Sequence, residues 1–278
     1  MPHWLFEALC VAVVLITLAA MARHRGWPAL AREYLALALA GFVGEETCIV
    51  FYDFYRYAPI WHGRAHRVPL LVPLIWPLVV LSSRAVVRAL WPDAGPRTAL
   101  FSALAVTLDA SLMEVIAVRA GLWSWAEPGH LGVPLVGIAG WGFFAYGAGL
   151  VLDRGARPGY LVAVASAVAH AGIFASWWAL FRWVLRGPLE PLSWGLLAAA
   201  SLGATVAAAR ARARGHTLGP EVAVPRVIAA SVFFVLLAVT APGEPRYWLH
   251  TGLVAVPYLV ATRWARSAQE DVLGQTRA

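Results

Sequence analysis

Stretches of about 20 apolar residues, the length an α-helix needs to cross bilayer hydrocarbon, recur about nine times along this chain. They lie near residues 4–22, 33–52, 68–90, 98–118, 131–152, 159–182, 189–209, 225–242 and 247–264. The composition agrees: 60% of residues are hydrophobic and 13% charged, against roughly a quarter charged in an ordinary soluble domain. The expected fold is all-α, a polytopic transmembrane helical bundle of about 8–9 spans, with residues 1–278 forming one integral membrane domain. The first run has no basic stretch before it and no small-residue cleavage site after it, so it reads as a retained helix.

Every one of the 22 basic residues is Arg, and Arg in short loops marks the cytoplasmic side. Nine spans with an external N-terminus place Arg23, Arg25, Arg32, Arg84, Arg88, Arg97, Arg154, Arg157, Arg210, Arg212, Arg214, Arg226, Arg263, Arg266 and Arg277 on one side. The smaller remainder falls on the other. The expected setting is therefore the inner (cytoplasmic) membrane, multi-pass, with a cytoplasmic C-terminus. The net charge of +7 is spread singly among apolar runs with no basic stripe, which argues against nucleic acid as a partner. Cys10 and Cys48 lie inside spans without a second thiol or His at ligand spacing, so no disulfide or metal site is expected. Phosphate-cradling loops and dinucleotide fingerprints are absent from the sequence, and no cofactor is expected.

Against this apolar background, five acids are out of place: Glu45, Glu46, Asp53, Asp109 and Glu114. A carboxyl at bilayer depth costs a few kcal/mol even on permissive insertion scales and normally faces a bundle interior. Glu45 and Glu46 are adjacent and cannot face one seam; Glu46, which shares a face with Asp53, is the one assigned to the site. Asp109 and Glu114 are five apart, about 140° around a helix, and flank a groove. Asp53 with Arg56 reads as an interfacial ion pair, His62 and His66 as solvated loop residues, and His170 as a hydrogen-bonded core His.

Desolvation favours the neutral form of a carboxyl, which then holds a proton to donate. A polyprenyl double bond is a fitting acceptor within a membrane. Its protonation gives a tertiary carbocation that aromatic faces stabilise and that water, or a second double bond, can quench.

The acid-bearing helix is followed by a tyrosine-rich segment (Tyr55, Tyr57) and VPLLVPLIW, Val68, Pro69 and Trp76 among it. Then come D-x4-E (Asp109, Glu114), GLWSW (Gly121, Trp123, Trp125), the GVP turn (Gly132, Val133, Pro134) and Gly140–Trp141. This order, over residues 40–150, resembles the carotenoid biosynthesis membrane family, which includes carotenoid 1,2-hydratases of the bisanhydrobacterioruberin hydratase type. The resemblance implies a carotenoid or related polyprenyl substrate, a lyase reaction that hydrates a terminal double bond, an active-site core at 40–150 and other pathway enzymes as possible partners. The expected catalytic residues are Asp109, Glu114 and Glu46, with Asp109 or Glu114 giving the proton and Glu46 orienting water. Glu45, Tyr52, Tyr55, Trp76, Trp123, Trp125 and Trp141 are expected to contact substrate. A cofactor-free cyclase or isomerase would use the same groups while excluding water. A proton-coupled transporter is disfavoured, since residues 159–278 hold no comparable acids.

Overall fold

The computed structural model describes residues 2–127, 129–155, 157–182 and 189–262. The expected cytoplasmic tail, with Arg263, Arg266 and Arg277, lies outside the described residues. Nine α-helices run through the described residues: α1 (His3–Arg25), α2 (Trp27–Tyr52), α3 (Leu71–Leu90), α4 (Thr98–Arg119), α5 (Leu135–Asp153), α6 (Pro158–Ala175), α7 (Glu190–Ala213), α8 (Pro220–Thr240) and α9 (Pro245–Ala261). Eight are long and apolar enough to cross a membrane, α6 being counted together with the π-helical turn Ser176–Phe181 that extends it. The ninth, α9, has 17 residues. This is a membrane protein built as a helical bundle.

Proline sets many of the boundaries. It occupies the first turn of α2, α6, α7, α8 and α9, where its missing N–H has no helical partner to lose and its fixed φ suits the helix. Two boundaries differ from the sequence expectation for this reason. Helix α2 starts at Trp27 rather than 33, because Pro28 opens the helix straight after Gly26 and the polar pair Arg32 and Glu33 is carried on its first turns. Helix α8 starts at Pro220 rather than 225, which sets Arg226 inside the helix rather than at its cytoplasmic start.

Helix α3 is the most enclosed of the spans, whereas α1, α6, α7 and α8 keep most of their surface toward the surroundings. Around it, α2 packs on α3 and α6, α4 on α3 and α5, and α5 on α6. Helix α1 leans on α8 and α3, and α7 on α9.

The bundle also carries short β-pairings that the helical pattern did not announce. Strand β1 (Tyr55–Tyr57) follows α2, and β4 (Trp123–Trp125) follows α4. They pair antiparallel, with Tyr55 opposite Trp125 and Tyr57 opposite Trp123. Between them, β2 (Arg64–Ala65) and β3 (Val68–Pro69) form a tight hairpin leading into α3. The strap of β1 and β4 thus ties together the ends of the two helices that carry the buried acids.

Candidate active site

Glu45 and Glu114 face one slender cavity of about 100 Å³ just beneath that strap. Both are buried, at 8% and 3% exposure, and neither has a cationic partner among the described residues. Each is instead held by three neutral donors. Glu45 accepts from the Tyr55 hydroxyl, from the Tyr57 hydroxyl at 2.8 Å and from the Trp76 indole N–H at 2.8 Å. Glu114 accepts the indole N–H groups of Trp123 at 2.8 Å, Trp125 at 3.0 Å and Trp141 at 2.8 Å.

The donors interlock across the cavity. Trp76 stacks on Trp141 with centroids 4.1 Å apart, Tyr55 lies 4.8 Å from Trp125, and Tyr57 meets Trp123 edge-on at 5.8 Å. Each donor to one carboxyl is therefore in ring contact with a donor to the other. Burial, and then the neighbouring Glu45, hold the Tyr55 and Tyr57 hydroxyls well above the usual phenol range, so they remain protonated donors. Two glycines make the close approach possible. A Cβ on Gly41 would come within 2.8 Å of the Trp76 ring, and one on Gly137 within 2.5 Å of Trp125.

This arrangement is a repeated unit. An acid on an outgoing helix is followed by an aromatic-x-aromatic strand, Tyr55-Arg56-Tyr57 or Trp123-Ser124-Trp125, and then by a returning helix with Trp76 or Trp141. The donors lie 10, 12 and 31 residues beyond Glu45, and 9, 11 and 27 beyond Glu114. The returning segments share V-P-L-x5-W at Val68–Trp76 and Val133–Trp141. That internal match is the signal by which sequence reasoning alone would have paired Glu45 with Glu114.

The other expected residues are placed apart from this cage. Glu46 points to the opposite side of α2, where it bonds the His66 ring and the Arg67 backbone N–H at 3.2 Å. His66 and His62 are thus exposed loop residues hydrogen-bonded to carboxyls, the latter to Glu7 at 2.7 Å. Tyr52 does not line the cavity; its hydroxyl lies 3.1 Å from His170, which also bonds Thr47 at 2.7 Å. Asp53 pairs with Arg56 at 2.7 Å, and that hydrogen bond holds its carboxyl below the usual range.

Asp109 lies on another face of α4 in a cluster of its own. Arg226 of α8 donates to both its oxygens at 2.7 and 2.6 Å, the Tyr258 hydroxyl of α9 at 2.5 Å and the Ser83 hydroxyl of α3 at 3.1 Å. Ser82 accepts from Arg226 at 2.8 Å, and the guanidinium lies 4.7 Å over the Tyr258 ring. The 140° turn between Asp109 and Glu114 separates them rather than closing them on one groove. With α2 starting at Trp27, Glu45 comes near the exit end of its helix and level with the strap, as Glu114 does.

A larger cavity of about 1110 Å³ opens between α4, α5, α7 and α9, but its walls carry no carboxyl. Among the described residues no cluster of His, Cys, Asp and Glu is arranged to hold a metal ion. Cys10 and Cys48 are buried and free.

Two buried acids, each caged by neutral donors, make this a class of membrane bundle with a polar centre enclosed by apolar walls. Residues 3–185 match the carotenoid biosynthesis protein family, and the chain belongs to that family. Membership assigns it a role in carotenoid biosynthesis and implies an enzymatic step on a hydrophobic substrate met in lipid. No curated protein and no solved structure matches the chain.

Proposed function

We propose that the protein hydrates a terminal carbon–carbon double bond of an acyclic carotenoid or related polyprenyl chain, with Glu114 as proton donor and Glu45 as the base that activates water. The observation that carries this reading is the chemistry of the two cages. Indole N–H groups are donor-only, so none of the three groups around Glu114 can accept a proton from it. A proton on Glu114 has the cavity as its outlet. The two phenols at Glu45 keep lone pairs that can accept from a water molecule while donating to the carboxylate.

The Glu114 O–H bond breaks as a C–H bond forms at the less substituted alkene carbon, leaving a tertiary cation. The faces of Trp76, Trp141 and Trp125 stabilise that cation by cation–π attraction. Water then adds through oxygen, and its proton passes to Glu45. The pair holds the same number of protons before and after, and the product has gained one water. Asp109, the other expected donor, is held by Arg226 and serves as a structural lock; Glu46 bonds His66 and the Arg67 N–H outside the cavity.

The chemistry falls to a core at residues 40–150, which supplies both acids and all six of their donors. The Arg asymmetry supports the inner membrane with a cytoplasmic C-terminus, and enzymes making the acyclic precursor are fitting neighbours. Incubating purified protein with lycopene and weighing the product tests the reaction. Gain of one water supports hydration. A ring formed at unchanged mass, the outcome of capture by a second double bond, would replace it with cyclisation.

A further inference from the structure

We propose that the apolar groove between α1, α3, α4, α8 and α9 is the berth for the unreacted arm of the substrate, a linear polyisoprenoid chain, and sets the chain length accepted. The inference rests on the function proposed above. The groove encloses about 330 Å³ and shares Ile75, Met113 and Phe233 with the walls of the two-acid cavity. The reaction chamber alone, at about 100 Å³, has room for the end of a carotenoid and not for its length.

From Phe233 down to Ala223 on α8 the groove runs ten residues, roughly 15 Å at the helical rise. That accommodates several isoprene units in line with the double bond presented to Glu114. Its polar groups make no demand on a ligand, because Asp109, Arg226, Tyr258 and Ser82 satisfy one another. Of the other hydroxyls on the wall, Ser231 and Thr262 bond backbone carbonyls, and the lining is otherwise aliphatic and aromatic apart from Thr17, which suits a hydrocarbon. Met113, unbranched and adaptable, stands at the junction next to Glu114 and can yield to a chain passing from chamber to groove. The Asp109–Arg226 pair fixes α4 against α8 and so sets the groove's width.

Small residues on α8 allow the groove to be plugged at chosen depths. Ala230→Phe fills it near the junction and Ala223→Phe near its far end. Protein in proteoliposomes is titrated with lycopene, read by quenching of tryptophan fluorescence, and turnover of lycopene is compared with that of farnesene, a much shorter chain with the same dimethyl-substituted terminus. Leu202→Phe, on the exposed face of α7, is the control. The berth requires lycopene affinity to fall at least tenfold in Ala230→Phe and by less in Ala223→Phe, with the lycopene-to-farnesene turnover ratio falling in the same order. Unchanged lycopene affinity in both plugged proteins overturns it, as does an equal loss for both hydrocarbons. Should Ala230→Phe fail to accumulate, Ala223→Phe decides alone. If affinity falls as expected while the unmodified protein adds water to neither hydrocarbon, the berth stands and the hydratase reading fails.

Discussion

Glu114 and Asp109 share one helix and both are withdrawn from water, yet their surroundings are opposite. Asp109 faces a guanidinium that donates to both of its oxygens, with a phenol and a serine completing the shell. Glu114 faces three indoles and no cation. A full opposite charge fixes a carboxylate as an anion, and removing either partner leaves an uncompensated buried charge. Neutral donors orient a carboxyl while leaving its proton exchangeable. On the function proposed above, Asp109, paired with an Arg, is the rivet and Glu114, held by indoles, is the reagent.

Experiments that separate activity from stability bear on this contrast directly. Glu114→Gln keeps the shape and the indole contacts but has no proton to give, and turnover should fall by about 10²–10⁴, the range of a general acid, with folding retained. Product mass after incubation with lycopene measures it, and normal turnover would remove Glu114 from the chemistry. Asp109→Asn should act on stability, strands Arg226 without its counter-charge and costs about 3–5 kcal/mol. Thermal denaturation in detergent reads that loss, and Asp109→Leu combined with Arg226→Met should recover most of it. A double variant that is stable but inactive would move Asp109 from rivet to reagent. Removing one donor by Trp141→Phe should slow turnover about tenfold, a loss of roughly 1.5 kcal/mol for a hydrogen bond to a carboxylate. The smallest effect is expected next door to the site. Glu46→Gln should change activity less than twofold, since its partners His66 and the Arg67 N–H lie outside the cavity, and the comparison with Glu45→Gln tests which of the adjacent acids faces the cavity.

The spans were legible because a helix in hydrocarbon needs a fixed number of apolar residues, and the pair Asp53–Arg56 because its partners are local. The choice between Glu45 and Glu46 was not. Adjacent residues differ by about 100° around a helix, and which one turns inward depends on where α3 brings Trp76. Asp109 was read as part of the site because its true partner, Arg226, lies 117 residues away in a region with no recognisable motif. Moreover, Arg226 was counted as a cytoplasmic-side Arg at the start of its span, because that span was begun five residues after α8 itself. Trp76, Trp123, Trp125 and Trp141 were identified as substrate contacts; that they also clamp the two acids emerges only from their geometry. The duplicated V-P-L-x5-W was visible throughout and would have pointed to two equivalent half-sites.

The donors to each acid all lie downstream of it and none is more than 31 residues away, which has a consequence for how the protein is made. As the chain leaves the ribosome, each carboxyl enters the bilayer ahead of the groups that will hold it and is completed by the very next helix. Once α5 has been inserted, both cages have every donor they will ever have. A nascent chain halted at that stage already holds both caged acids, and α6 to α9 then arrive to enclose them. Biogenesis therefore runs from the caged acids outward, with α8 and α9, which close the groove begun by α1, α3 and α4, added last.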